Sequence, residues 1–329
     1  MQSRTLGRTG RTVSVIGLGT WQLGADWGDV SEADARAVLD ASVEGGVTFF
    51  DTADVYGDGR SERIIGQWLR DNPGSGVTVA TKMGRRLPQE TANYSMENFR
   101  AWTDRSRRNL GVDTLDLVQL HCPPTEVYGV DRVFDDLDTL VTQGVTASYG
   151  VSVEREEEAL AAIARPHVAT VQIILNAFRL KPLERVLPAA QEAGVGIIAR
   201  VPLASGLLSG RYTPNTTFAP DDHRSFNRDG AAFDVGETFS GVDFETGIRA
   251  AAEFASVARR LVPTATTAQV ALAWVAAQDG VSTVIPGARS PEQARANAAA
   301  GTLELPADLD DAVRAIYDRE LREAVHPRW

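Results

Sequence analysis

Asp51, Tyr56, Lys82 and His121 fall at or just beyond the ends of three consecutive short apolar runs. A tyrosine hydroxyl, with an ordinary pKa of about 10, is too weak an acid at neutral pH, but an ammonium beside it stabilises the phenolate and lowers that value. Lys82 could supply the ammonium, and Asp51 is the carboxylate that would keep it charged in a dry pocket. Tyr56 then becomes a tuned general acid or base, and a neutral His121 can donate a hydrogen bond that orients a carbonyl oxygen. Only two of the 33 basic residues, Lys82 and Lys181, are lysines. Lysine is a compact point charge whose proton affinity responds to burial and neighbours, which arginine is not.

Other chemistries fit less well. A metal centre on Asp51 and His121 lacks further ligands at strand ends, because the chain has four histidines and His167, His223 and His326 fall in loops or the tail. A two-carboxylate glycosidase lacks a second acid on a neighbouring strand end. No serine or cysteine is matched to a base, and the single cysteine, Cys122, reads as a small buried residue and excludes an intramolecular disulfide.

These residues need a scaffold that brings successive strand ends together. Short β-branched runs alternate with helical patterns along the chain, which is the pattern of parallel strands joined by crossover helices. Strands are expected at 13–17, 48–51, 77–82, 115–121, 147–151, 170–175, 196–201 and 283–286. Helices are expected near 32–45, 61–71, 96–110, 131–143, 154–164, 183–193, 244–278 with a break at Pro263, and 291–300. Ser31 with Asp34, and Ser290 followed by Pro291, mark helix starts, while Gly45, Gly46, Gly111, Gly144 and Gly194 mark stops. Eight strands with eight helices close most economically into a (β/α)8 TIM barrel, which places an active site at the carboxyl ends of its strands. The reading is one barrel domain over residues 1–329, with an N-terminal hairpin at 4–13 capping the floor, a long loop at 205–241 after strand seven and a C-terminal helical tail. The loop is rich in Gly, Pro, Asp, Asn and Ser and is expected to be functional or partly disordered.

A net charge of −11 with pI near 5.0 disfavours nucleic acid and acidic membranes as partners. No stretch approaches the roughly 18 apolar residues of a spanning helix and no apolar leader opens the chain, so a cytoplasmic protein, monomeric or weakly self-associating, is expected.

The stretch Asp51-Thr52-Ala53-Asp54-Val55-Tyr56-Gly57, then Ser61-Glu62, Ala80-Thr81-Lys82 and Leu115-Asp116-Leu117-Val118-Gln119-Leu120-His121, resembles the aldo-keto reductase family in the order and spacing of its Asp, Tyr, Lys, His tetrad. The resemblance covers nearly the whole chain. It implies hydride transfer between NADP(H) and an aldehyde or ketone, or the corresponding alcohol, without a metal, while Tyr56 protonates the oxygen.

By the same resemblance, Gly19, Thr20 and Trp21 lie at the nicotinamide, with Trp21 and Trp27 beside Tyr56 and His121 in the substrate pocket. Ser152 and Gln172 match the carboxamide contacts, although Val153 replaces a common asparagine and Leu175 a common aromatic. Arg200 stands where many members place a tyrosine that stacks on the nicotinamide; it either preserves the stacking or favours an anionic or polyhydroxylated substrate. Pro202, Leu203, Ser205, Gly206, Leu207, Ser209, Gly210 and Arg211 match the pyrophosphate loop. Pro286, Gly287, Ala288, Arg289, Gln293 and Asn297 match the adenosine end, and Arg289 at a helix N-terminus suits a 2′-phosphate. No Gly-rich fingerprint supports a Rossmann fold. Met83, Arg85, Tyr94, Tyr128, Phe218 and Phe226 are further candidate lining residues. Two other functions share the scaffold: a sugar or polyol dehydrogenase working oxidatively, and a non-catalytic subunit that senses nicotinamide.

Overall fold

The computed structural model describes residues 1–24, 30–220, 222–232 and 234–329. Eight parallel strands follow one another in chain order: β3 (Leu18–Gly19), β4 (Phe49–Asp51), β5 (Thr78–Met83), β6 (Leu117–His121), β7 (Tyr149–Ser152), β8 (Thr170–Ile174), β9 (Gly196–Arg200) and β10 (Val281–Val284). The ends meet through isolated parallel bridges, Ile16 with Val284 and Gly19 with Gly287, so the sheet closes into the expected (β/α)8 barrel. Every residue of β4 to β10 is buried. Strands covered on both faces read as short continuous apolar runs, which is why they are visible in the sequence.

The first strand corrects the sequence reading. The run at 13–17 is not one barrel strand: Thr12–Ser14 forms β2 and pairs antiparallel with β1 (Ser3–Thr5), Arg4 opposite Val13. The chain then bends, and β3 carries the barrel pairing, Leu18 with Phe50 and Gly19 with Asp51. Apolar character continues through both pieces, and only their different partners separate them. The hairpin plugs the floor: Leu6 and Val13 are fully buried in one cluster with Phe49, Ala80, Leu117, Ile198 and Ile285.

The crossover helices are α1 (Glu32–Glu44), α2 (Arg60–Asp71), α3 (Met96–Leu110), α4 (Asp131–Thr142), α5 (Glu156–Ile163), α6 (Val186–Ala193), α9 (Thr267–Ala277) and α10 (Pro291–Ala299), with α7 (His223–Phe226) and α8 (Phe244–Leu261) between β9 and α9. Ser31 and Ser290 accept the amide protons of Asp34 and Gln293. Gly111 and Gly194 end α3 and α6 at φ 70° and 69°. The helix expected at 244–278 divides, α8 ending at Leu261 and α9 starting behind a Thr266–Gln269 capping box. Trp68, Phe99, Phe254 and Trp274 are buried in the main apolar cluster, each worth about 1.5–3 kcal/mol relative to an exposed position.

The 205–241 segment holds short turns rather than long elements, and Phe218, Phe239 and Phe244 pack together beneath it. The tail forms α11 (Asp308–Glu320), α12 (Arg322–Val325) and a final turn at His326–Arg328. No described helix is long and apolar enough to cross a membrane.

Candidate active site

The register carries Asp51, Lys82, His121, Ser152 and Arg200 to the carboxyl ends of β4, β5, β6, β7 and β9. Lys82 is 1% exposed. Its Nζ lies 2.5 Å from Asp51 Oδ1, 2.9 Å from the Thr52 carbonyl and 3.4 Å from the Tyr56 hydroxyl. An ammonium has three protons, and all three are placed. The other Asp51 oxygen accepts from Gln172 Nε2 at 2.8 Å and Gln119 Nε2 at 3.1 Å. A buried ion pair is tolerable when its remaining polar atoms are satisfied in this way.

Burial pulls the proton affinity of Lys82 down, but Asp51 and Tyr56 together outweigh it and hold it above the ordinary value. Burial pushes the Tyr56 hydroxyl up against the opposing pull of Lys82, and the Asp51 and Glu237 carboxylates add to the rise. This corrects the expectation of a lowered tyrosine: an ammonium already paired with a carboxylate does not offset the loss of water around the phenol. Tyr56 therefore stays a protonated phenol through neutral pH. Because it accepts from Lys82, its own O–H is left to donate elsewhere.

His121 is held well below the usual histidine value, first by burial and then by Arg85, Lys82 and Arg200. The ring is neutral, and its buried Nδ1 has no hydrogen-bond partner among the described residues. Tyr56 meets it edge-on at 6.0 Å between centroids. On the other side Trp21 stacks on Tyr56 at 6.2 Å and touches the ring of His223 from α7 at 5.9 Å. An aromatic wall, a phenol donor and a neutral imidazole thus surround one place, suited to giving a proton to an oxygen held there.

A family model, the aldo/keto reductase family, matches residues 15–318. This chain belongs to the aldo/keto reductase family. Among similar proteins, the oxidoreductase Rv2298 of Mycobacterium tuberculosis is 33% identical over 308 residues, covering 92% of this chain and 88% of that protein. L-galactose dehydrogenase of Arabidopsis thaliana is 33% identical over 224 residues, 65% of this chain and 69% of that one. Among solved structures, the glycerol dehydrogenase AKR11B4 from Gluconobacter oxydans aligns with TM-score 0.81 at 28% identity, covering 99% and 98% of the two chains. An aldo-keto reductase from Klebsiella pneumoniae solved with NADPH aligns with TM-score 0.70 at 25% identity, covering 96% of each.

The remaining family-derived positions fall in two groups. Several brace the site. Thr20 donates to the Asp51 carbonyl at 2.9 Å, Ser205 joins the Glu237 carbonyl at 2.7 Å, and Leu207 is buried in the core. Gln293 accepts from the Arg289 amide at 2.8 Å, and Asn297 donates to the Gly287 carbonyl at 3.1 Å, so both hold the 287–289 turn. Ser152 lies 3.5 Å from the Cys122 sulfur. Pro202 and Leu203 lead into a turn at Ala204–Ser209, where Ser205 and Gly206 have φ 55° and 98°, and Gly210 closes it at φ 73°. Others are open: Arg211 and Arg289 are exposed, and Arg289 has no carboxylate within 4 Å among the described residues. Pro286 and Ala288 are buried behind it. Trp27 lies outside the described residues.

Arg200 departs from a free stacking group. It is 8% exposed, and its guanidinium bonds the Glu237 carboxylate, the Val153 carbonyl at 3.0 Å and the Cys122 sulfur at 3.9 Å. Arg85 donates to the His121 carbonyl at 3.1 Å and pairs with Glu154 at 3.2 Å. Of the other lining candidates, Met83, Tyr94 and Tyr128 are buried in the core, Phe218 packs inside the long loop and Phe226 is exposed. Sequence reasoning missed Glu237 and Gln119. Gln119 was within reach, since it shares the inward face of β6 with His121 two residues on; Glu237 arrives through a loop with no periodicity.

Proposed function

We propose that this chain reversibly transfers hydride between NADP(H) and a small aldehyde or ketone, or the corresponding alcohol, with Tyr56 as the group that gives and takes the proton. The observation that carries the reading is the Tyr56 hydroxyl, which accepts from an ammonium fixed by Asp51 and faces a neutral His121. His121 would orient the carbonyl oxygen through its N–H. Tyr56 would pass its proton to that oxygen, leaving a phenolate 3.4 Å from Lys82. In the reverse direction the same phenolate takes the proton from an alcohol.

The chain fits the cofactor. A Cβ at Gly19 would sit 2.9 Å from the Ile285 carbonyl oxygen, so the backbone there is held bare by the close approach of the two strand ends beside Asp51, while a Cβ at Gly287 would meet only the movable end of the Gln22 side chain at 2.3 Å. Gln172 has its amide nitrogen committed to Asp51, leaving its oxygen, with Ser152, for the carboxamide. By the same resemblance, Arg200 would flank the nicotinamide, the 205–210 turn would hold the pyrophosphate and Arg289 the 2′-phosphate. The bound cofactor supplies the hydride.

A hydroxylated substrate is the narrower reading. Two ion pairs, Arg85 with Glu154 and Arg200 with Glu237, stand beyond His121 and offer donors and acceptors suited to several hydroxyls. Similarity to a glycerol dehydrogenase and an L-galactose dehydrogenase points the same way. The test is Tyr56→Phe: turnover should fall by about 10²-fold or more, while NADPH affinity stays near that of the unaltered protein. Wild-type turnover in that variant would end the mechanism, and no turnover by the unaltered protein across aldehydes, ketones, aldoses and polyols in both directions would favour a nicotinamide-sensing subunit.

A further inference from the structure

Trp329 lies far in sequence from the pocket, yet it is 5% exposed and every polar atom of its indole is used. Its Nε1 donates to both oxygens of Asp234, at 3.1 and 3.2 Å. Asp234 also accepts the Gly236 amide at 2.7 Å, which opens the turn Val235–Glu237. The Arg179 guanidinium lies 4.1 Å from the Trp329 ring centroid and donates to the Glu154 carbonyl at 2.6 Å. Arg328 donates to the Gly241 carbonyl at 3.0 Å. A Cβ at Gly236 or Gly241 would come within 2.7 or 2.4 Å of the indole. The tail therefore grips the 234–241 loop at both ends.

That loop carries Glu237, the carboxylate on Arg200. We propose that Trp329 is a positioning residue: by stacking on Arg179 and holding Asp234, it fixes the 234–241 loop so that Glu237 seats the Arg200 guanidinium across the catalytic pocket. The proposal rests on the reading above for the place of Arg200 beside the cofactor. Glu237 on its own loop would swing with the loop's backbone, and the indole contacts remove that freedom.

The experiment combines limited proteolysis with NADPH binding, followed by the emission of the reduced nicotinamide. Trp329→Ala should speed cleavage within 205–241 and weaken NADPH binding about tenfold, the effect of losing one hydrogen bond to a charged group, while kcat at saturation changes less. Trp329→Phe, which keeps the stack without the N–H, should fall between. In a Glu237→Gln background Trp329→Ala should weaken NADPH binding little further, because the contact it supports is already gone. Additive losses in the double variant, or wild-type NADPH affinity in Trp329→Ala, would overturn the proposal. If Trp329→Ala does not fold, Asp234→Ala, which removes the oxygens that accept the indole N–H and the Gly236 amide, carries the same expectations. Failure of the unaltered protein to bind NADPH would sink the functional reading instead; the cleavage rate then decides the clamp, and unchanged cleavage overturns it.

Discussion

Each Lys82 proton has an acceptor, and this determines which way the Tyr56 proton points. The four residues were legible from type and spacing alone, because a phenol, an ammonium, a carboxylate and an imidazole at successive strand ends have few joint uses. The balance at Tyr56 was not legible, since burial depends on Trp21, His121 and a loop from distant parts of the chain. Asp54 shows the same effect in a group the proposed mechanism does not use. Its carboxylate is fully buried with neither oxygen hydrogen-bonded among the described residues, and burial, then the neighbouring Glu62, pushes it up from 3.8 to about 7. Arg86 and Arg105 donate to its carbonyl oxygen instead, each at 3.3 Å. A folded-state value raised above the unfolded one means the native protein holds a proton that the unfolded chain has released between those two values. The stability from that proton is fully present below pH 3.8 and is lost as pH rises towards 7. Asp54→Asn should therefore flatten the fall in melting temperature between pH 5 and pH 8, and an unchanged slope would show that the group does not titrate there.

At the scale of elements, the strands and helices were legible because both-face burial and amphipathic periodicity leave strong marks. The division of 12–19 into β2 and β3 was not, because pairing partners are non-local and the apolar run is continuous across the bend. The 205–241 loop gave only its composition, and its residues took roles through packing that no local pattern announces. The start of α10 is a middle case. Ser290-Pro291 marks the helix, and Gln293 and Asn297 turned out to hold the 287–289 backbone. Arg289 is left exposed beside the helix N-terminus without a carboxylate partner among the described residues. A guanidinium there can take a phosphate through two N–H donors while the helix end adds favourable charge. Arg289→Ala should weaken NADPH binding by about tenfold or more, in line with loss of a charge-assisted contact, and leave NADH binding nearly unchanged. Titration of both cofactors checks this, and an equal loss for the two would take Arg289 away from the 2′-phosphate.

For the whole molecule, closure of the barrel and support of the cofactor meet at the seam between β3 and β10, because two of the proposed cofactor segments, 19–21 and 286–289, flank it. The seam is thin. It rests on two bridges, Ile16 with Val284 and Gly19 with Gly287, whose bonds include the Gly17 amide on the Val284 carbonyl at 2.8 Å, the Val284 amide on the Val15 carbonyl at 3.0 Å and the Gly19 amide on the Pro286 carbonyl at 3.0 Å. Apart from β3 with β4, which share two pairs, the other barrel strands are joined by longer ladders, as in β8 with β9, paired from Thr170–Gly196 to Ile174–Arg200. At Gly19 the obstacle to a side chain is the Ile285 carbonyl, a backbone atom that can move only with the strand end. Gly19→Ala should therefore push the 285–289 segment outward, costing about 1–3 kcal/mol of stability as overpacking does, and weaken NADPH binding at the same time. Gly10→Ala separates strain from position. Gly10 sits at φ 69° in the floor hairpin with nothing within 4 Å of a Cβ, so the substitution costs about 1–2 kcal/mol of backbone strain at the opposite end of the barrel from the catalytic residues. Urea unfolding should place the two variants close together, while NADPH titration should separate them, with only Gly19→Ala weakened. Equal NADPH affinity in both would mean that the seam closes the barrel without supporting the cofactor.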